Sequence, residues 1–216
     1  MISLIQNFSI MNTIKVNLLS ALVLFLIMTL IYSCGNDTNA KDLYTETLSD
    51  TDSAALLFML EEEKLARDTY AYLDNLWSLN QFSNIKLSEQ SHMNAVENLL
   101  KVNNISYTIL PSGEFADAGL QTYYNQFTID GAIDQVHALQ VGATIEDLDI
   151  VDLQEYIDAT SNTELISVFE SLQCGSRNHL RSFVNTIDNL GASYTPQFLT
   201  EEAYDAILNS SQEQCN

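Results

Sequence analysis

The chain has 216 residues, with 29 Asp and Glu against 8 Lys and Arg, a formal net charge of −21. So acidic a surface repels phosphate backbones, which excludes ordinary nucleic-acid binding, while it draws cations and favours solubility. With 46% hydrophobic residues but 2 Pro and 7 Gly, the sequence can fill a core from long, rarely interrupted helices.

Residues 18–32 (LLSALVLFLIMTLIY) form an uncharged apolar run preceded by Lys15. The run is short for a membrane-spanning helix and suits a signal-peptide core. It ends at Ile31-Tyr32-Ser33-Cys34-Gly35, where a small residue precedes a cysteine. This resembles the lipobox of bacterial lipoproteins. The resemblance implies a signal peptide over 1–33, lipidation of Cys34, and a place in the cell envelope on the outer membrane, reached through the lipid anchor alone. Plain secretion or an uncleaved anchor is the alternative. Residues 34–50 read as a polar tether, 51–210 as the folded domain and 211–216 as a tail. Cys174 and Cys215 remain in a disulfide-permissive compartment, and whether they pair stays open.

Beyond the tether, apolar residues recur at alternating steps of three and four, the mark of one helical face. Asp50 or Ser53 can cap a first helix to about Leu79, with the face Leu56, Met59, Glu63, Ala66, Tyr70, Leu73, Trp77. A second runs from about Ser83 to Val102 with Ile85, Glu89, His92, Val96, Leu99. After Pro111-Ser112-Gly113 a short helix covers about Asp117 to Thr128. The third long helix spans about Ala132 to Ala159, facing Ala132, Val136, Leu139, Ala143, Glu146, Ile150, Leu153, Ile157. The fourth spans about Thr163 to Leu190, capped by Asn162 and stopped by Gly191, with Leu165, Phe169, Leu172, Ser176, His179, Phe183, Ile187. Thr200-Glu201-Glu202 opens a short terminal helix to about Leu208. The pattern is all-α and implies a four-helix bundle.

Each long face breaks once at mid-height: at Glu63, at Glu89 with His92, at Glu146 and at His179. Buried unpaired carboxylates cost several kcal/mol, so these groups need partners. A shared cation neutralises several at once, and inward Glu and His on four helices is how bundle metal sites are built. Glu89 and His92 lie three apart and leave the same face; Asp149, three after Glu146, adds a carboxylate. This donor set suits iron, manganese or zinc better than calcium. The alternative is a set of buried ion pairs drawing on Arg67, Arg177 or Arg181. Asp134 and His137 repeat the acid-x-x-His pattern, but off the apolar face, and belong to the surface.

Residues 63–70 (EKLARDTY) resemble the first-helix E-x-x-A-R-x-x-Y of rubrerythrins, Glu89-Gln90-Ser91-His92 their E-x-x-H, and Glu146-Asp147-Leu148-Asp149 their E-x-x-E with Asp for the second Glu. More closely, EEEKLARDTY (61–70), SNIKLSEQSHM (83–93), VGATIEDLDIVDL (141–153) and CGSRNHLRSF (174–183) resemble the ferritin-like family catalogued as domain of unknown function 2202. This covers roughly residues 53–208 and implies a ferritin-like four-helix bundle. The fourth helix departs from the rubrerythrin pattern: Ser176 stands where a carboxylate is expected. Glu170, nine residues before His179, falls on nearly the opposite side and cannot replace it.

The resemblance implies a site formed by Glu63, Glu89, His92, Glu146, Asp149 and His179. Glu89 or Glu146 would bridge two iron ions, with manganese or zinc as alternatives. Glu62, Arg67, Tyr70, Ser176 and Arg177 would support the ligands, with surface salt pairs as the alternative for Arg67 and Arg177. Tyr70 and Tyr72 are expected in the core, or as groups delivering electrons or a hydrogen bond. The expected function is iron or peroxide redox chemistry; the alternatives are metal binding without turnover and a metal-free helical interaction module. Ferritin-like bundles often dimerise, so a homodimer is an expected assembly.

Overall fold

The computed structural model describes residues 48–215, and the expectations for the signal peptide, the lipidation site Cys34 and the start of the tether lie outside them. Among the described residues there are six helices and no strand. They are α1 (Asp50–Trp77), α2 (Asn80–Val102), α3 (Ala118–Asp130), α4 (Gln135–Ala159), α5 (Thr163–Asn189) and α6 (Glu201–Asn209). None of them is long and apolar enough to cross a membrane.

The helix ends show where local chemistry beats periodicity. Neither Asp50 nor Ser53 caps α1. Ser49 does, in a reciprocal box with Asp52, satisfying two backbone donors at once. Ser78 ends α1 in the left-handed conformation, and α2 starts at Asn80, three residues before the expected Ser83. Helix α4 begins later than its apolar face suggested, because the Asp134 carboxylate accepts from His137 N and fixes the first turn at Gln135. Ala132 therefore lies before the helix and is exposed. Asn162 caps α5 as its sequence position requires.

The four long helices close a ring of neighbours: α1 packs on α2 and α4, and α5 packs on α4 and α2. Short α3 lies against α1 and α4, and α6 against α5. The core is divided in two. One apolar cluster contains Leu65, Tyr70, Leu73, Phe82, Leu139 and Phe183; the other contains Leu56, Met59, Met93, Leu153, Phe169 and Leu172. Each long helix crosses from one cluster to the other. At the crossing points stand Glu62 and Glu63, Glu89 and His92, Glu146 and Asp149, and Ser176 and His179. A polar layer thus sits between two apolar blocks that shield it at either end and contribute most of the burial energy, about 1.5–3 kcal/mol for each large side chain.

Two buried charges fasten the connections. Lys64, 2% exposed, donates to Asp68, Pro111 O and Glu114 O and lies over the Phe115 ring, which ties the 103–117 loop to α1. Asp147 accepts from Tyr194 Oη and the backbone N–H groups of Gln197, Phe198 and Leu199, which holds the segment before α6. Cys174 and Cys215 form a disulfide that pins the C-terminal residues to α5.

Candidate metal centre

The mid-height groups converge on two adjacent sets of donors. Glu63, Glu89 and His92 have ligand atoms within 4.8 Å of one another, and so do Glu89, Glu146 and His179. Glu89 belongs to both. Its Oε2 lies 2.8 Å from His92 Nδ1 and its Oε1 lies 2.9 Å from His179 Nδ1. Glu63 Oε2 stands 3.2 Å from His92 Nδ1, and Glu146 Oε2 stands 3.4 Å from His179 Nδ1. The two imidazoles are stacked, with centroids 5.7 Å apart. One carboxylate therefore offers one oxygen to each half of the site.

The contacts inside the site are close but poorly satisfied. Glu89 Oε1, His179 Nδ1, Glu63 Oε1 and Asp149 Oδ1 are buried with no hydrogen-bond partner. A buried polar atom left unpaired costs about 1–3 kcal/mol, more when charged. Carboxylates and imidazoles pair at close range, yet these four atoms are left without a hydrogen bond, and a shared cation would satisfy them. All the donors are oxygen and imidazole nitrogen, which fits first-row divalent metals.

Charge balance follows the same geometry. Burial pushes the Glu63 carboxyl up to about 7, although His92 pulls the other way. Burial also raises Glu146, reinforced by Glu89 and partly offset by His179 and Tyr70. For Glu89, burial is outweighed by the two imidazoles, which hold its carboxyl well below the usual range. Against their own burial, Glu63 and Glu89 raise His92, and Glu89 and Glu146 raise His179 to about 10. Protons and imidazolium charge thus carry the compensation that a cation would otherwise supply.

The supporting residues are placed unevenly. Tyr70 Oη donates to Glu146 Oε1 at 2.6 Å, in the core, whereas Tyr72 is exposed. The Ser176 hydroxyl binds Asp149 Oδ2, so Asp149 lies in the layer but outside both donor sets, with Oδ1 unpartnered. Glu62 is buried with both carboxylate oxygens unpartnered, and burial, then Asp149 and Asp152, raise it well above the ordinary value. The arginines take the salt-pair alternative rather than the ligand-supporting one. Arg67 pairs with Asp68 and Gln90, and Arg177 with Glu213 and Gln173. Arg181 pairs with Glu213, so none of the three arginines pairs with the donor carboxylates, whose only cationic partners among the described residues are the two imidazoles. Glu170 is exposed, and His137 is exposed on its Asp134 cap.

One residue that the sequence reading passed over is Gly175. A Cβ there would meet His92 Cε1 and Nε2 at 2.7 Å, so the missing side chain makes room for the ring. Its signal was present, since a glycine inside a long helix costs about 1 kcal/mol against alanine and needs a reason.

A family model described as "Uncharacterized protein domain (DUF2202)" matches residues 52–211, nearly the whole described region. The chain belongs to the DUF2202 family. An uncharacterized protein of Methanocaldococcus jannaschii, MJ0754, is 44% identical over 175 residues, covering 80% of this chain and 95% of that protein. The crystal structure of hypothetical protein MJ0754 is similar, with a TM-score of 0.75, 45% identity, and coverage of 77% of this chain and 96% of that one. The solved structure supports the fold, and DUF2202 membership by itself assigns no activity.

Proposed function

We propose that this DUF2202 protein is a metalloprotein whose polar layer holds two iron ions, with manganese or zinc as alternatives. The observation that carries the reading is Glu89, with one oxygen toward each imidazole and a carboxylate beyond each. Glu63, Glu89 and His92 would hold one ion; Glu89, Glu146 and His179 would hold the other. Asp149 stands ready through its unpartnered Oδ1. Two ferrous ions, when bound, would supply electrons for reducing dioxygen or peroxide, whereas zinc has no redox chemistry to offer. The chain's own part is to fix the donors on four helices, to shield them at either end with two apolar clusters, and to orient Glu146 through Tyr70.

Ser176 favours a second reading, metal capture or sensing without turnover. Its hydroxyl occupies Asp149 Oδ2 and brings no carboxylate of its own, leaving the layer one anionic ligand poorer. Oxygen-dependent oxidation of ferrous iron and consumption of peroxide by the purified chain separate the two. Turnover that disappears in Glu89→Gln supports redox chemistry; bound metal without turnover supports capture.

We further place the protein in the cell envelope, lipidated at Cys34 and tethered to the outer membrane, on the order of residues 18–35. Labelling with a radioactive fatty acid, lost in Cys34→Ser, tests this.

A further inference from the structure

Beside the polar layer lies a cleft of about 420 Å³, lined by His92, Gly175, Asn178, His179, Glu213 and Cys215 among others. Two walls are helices α2 and α5. The third is the C-terminal strap, which has no part in the core and is held to α5 by two fastenings. The Glu213 carboxylate accepts from Arg177 Nε at 2.8 Å and from Arg181 Nη2 at 2.7 Å, while Asn178 and Glu213 exchange two further hydrogen bonds. Beyond that point Cys215 is bonded to Cys174, next to the Gly175 that accommodates His92. The imidazoles keep 13% and 12% of their side-chain surface exposed, unlike the 2% of the carboxylates they face.

We propose that this cleft is the port by which small, neutral, hydrogen-bonding molecules reach the imidazole edge of the polar layer, and that the C-terminal strap is its redox-sensitive cover. The port supplies hydroxyls from Ser88 and Ser182. The chain's charge of −21 disfavours anions of any size. A dithiol opens the cover by delivering two electrons and two protons: the S–S bond breaks, Cys174 and Cys215 become thiols, and the dithiol is oxidised to its own disulfide. The strap then remains attached only through Glu213 and the hydrogen bonds around it, and it frays from its end. The purpose of the port rests on the metal-centre reading, but its existence does not.

The test uses the metal-free chain, whose 3 histidines give separable ring signals by NMR. A soluble neutral nitroxide, 4-hydroxy-TEMPO, broadens signals that it can approach. Reduction with dithiothreitol, or Cys215→Ser, increases the broadening of His92 and His179 several-fold, leaves exposed His137 unchanged, and is reversed on reoxidation of the native chain. Glu213→Gln, which keeps the disulfide, gives a smaller increase in the same direction. Equal broadening of His92 and His179 in the oxidised and reduced chains overturns the cover. A chain that binds no metal yet shows the increase refutes the metal centre alone; one that binds metal and shows none refutes the cover alone.

Discussion

Glu89 Oε1 and His179 Nδ1 lie 2.9 Å apart in the core, yet neither makes a directed hydrogen bond. Opposite charges this close normally settle into donor and acceptor alignment. Glu146 completes one donor set with this pair, and Glu89 also belongs to the neighbouring set with Glu63 and His92. Folding has spent apolar area on positioning them, which is unfavourable unless something else binds there.

Removing the shared carboxylate separates a metal centre from a set of internal charges. Glu89→Leu loses bound metal and the thermal stabilisation that added ferrous iron gives the native chain. If the layer served packing alone, the same change would be neutral or stabilising, since a buried charge is replaced by apolar area. Melting curves with and without metal distinguish these outcomes.

Gly175→Ala places a Cβ within 2.7 Å of the His92 ring and forces that ring to move. Helix propensity gains about 1 kcal/mol from the change. The metal-free chain therefore keeps near-native stability, while metal affinity falls by about tenfold or more, as when a ligand's orientation is lost. Competition against a coloured chelator measures the affinity. Unaltered affinity would show that His92 does not need its present position.

Tyr70→Phe removes the 2.6 Å hydrogen bond to Glu146 and leaves a buried carboxylate oxygen without that donor. The expected loss is about 1–3 kcal/mol in the metal-free chain. The loss would be smaller with metal bound, because a cation held in part by Glu146 would compensate its carboxylate charge. Denaturant titrations of both forms read the difference.

Glu213 titrates in a predictable direction. Its hydrogen bonds to Arg177, outweighing burial and helped by Arg181, pull the carboxyl from the ordinary 4.5 down to about 2. A depressed folded-state value means that its contribution is complete above 4.5 and is lost as pH falls toward about 2. Between those limits the Arg177 and Arg181 Nε–H signals shift together as the strap loosens. Signals that stay fixed through this window would mean that Glu213 does not hold the strap.

The bundle was legible because each long helix carries an apolar face of the right period, and the site was legible because each face breaks once. Glu63, Glu89, Glu146 and His179 stand out as polar groups on stripes that otherwise run from Leu56 to Ile187. Other features depend on contacts distant in sequence. Spacing alone leaves the arginines open between ligand support and salt pairs, and the structure commits Arg177 and Arg181 to Glu213, over thirty residues away in sequence. The cap of α1 fell to Ser49 rather than Asp50 because only Ser49 can exchange two bonds with Asp52. Asp149 has the spacing from Glu146 that a ligand needs, but Ser176 draws one of its oxygens aside.

Metal content per chain, measured by mass spectrometry on protein purified without chelator, tests the centre most directly. The two donor sets sharing Glu89 predict about two iron or manganese ions per native chain and none in Glu89→Gln. A native chain that holds no metal, even after anaerobic loading with ferrous iron, would contradict the metal centre outright.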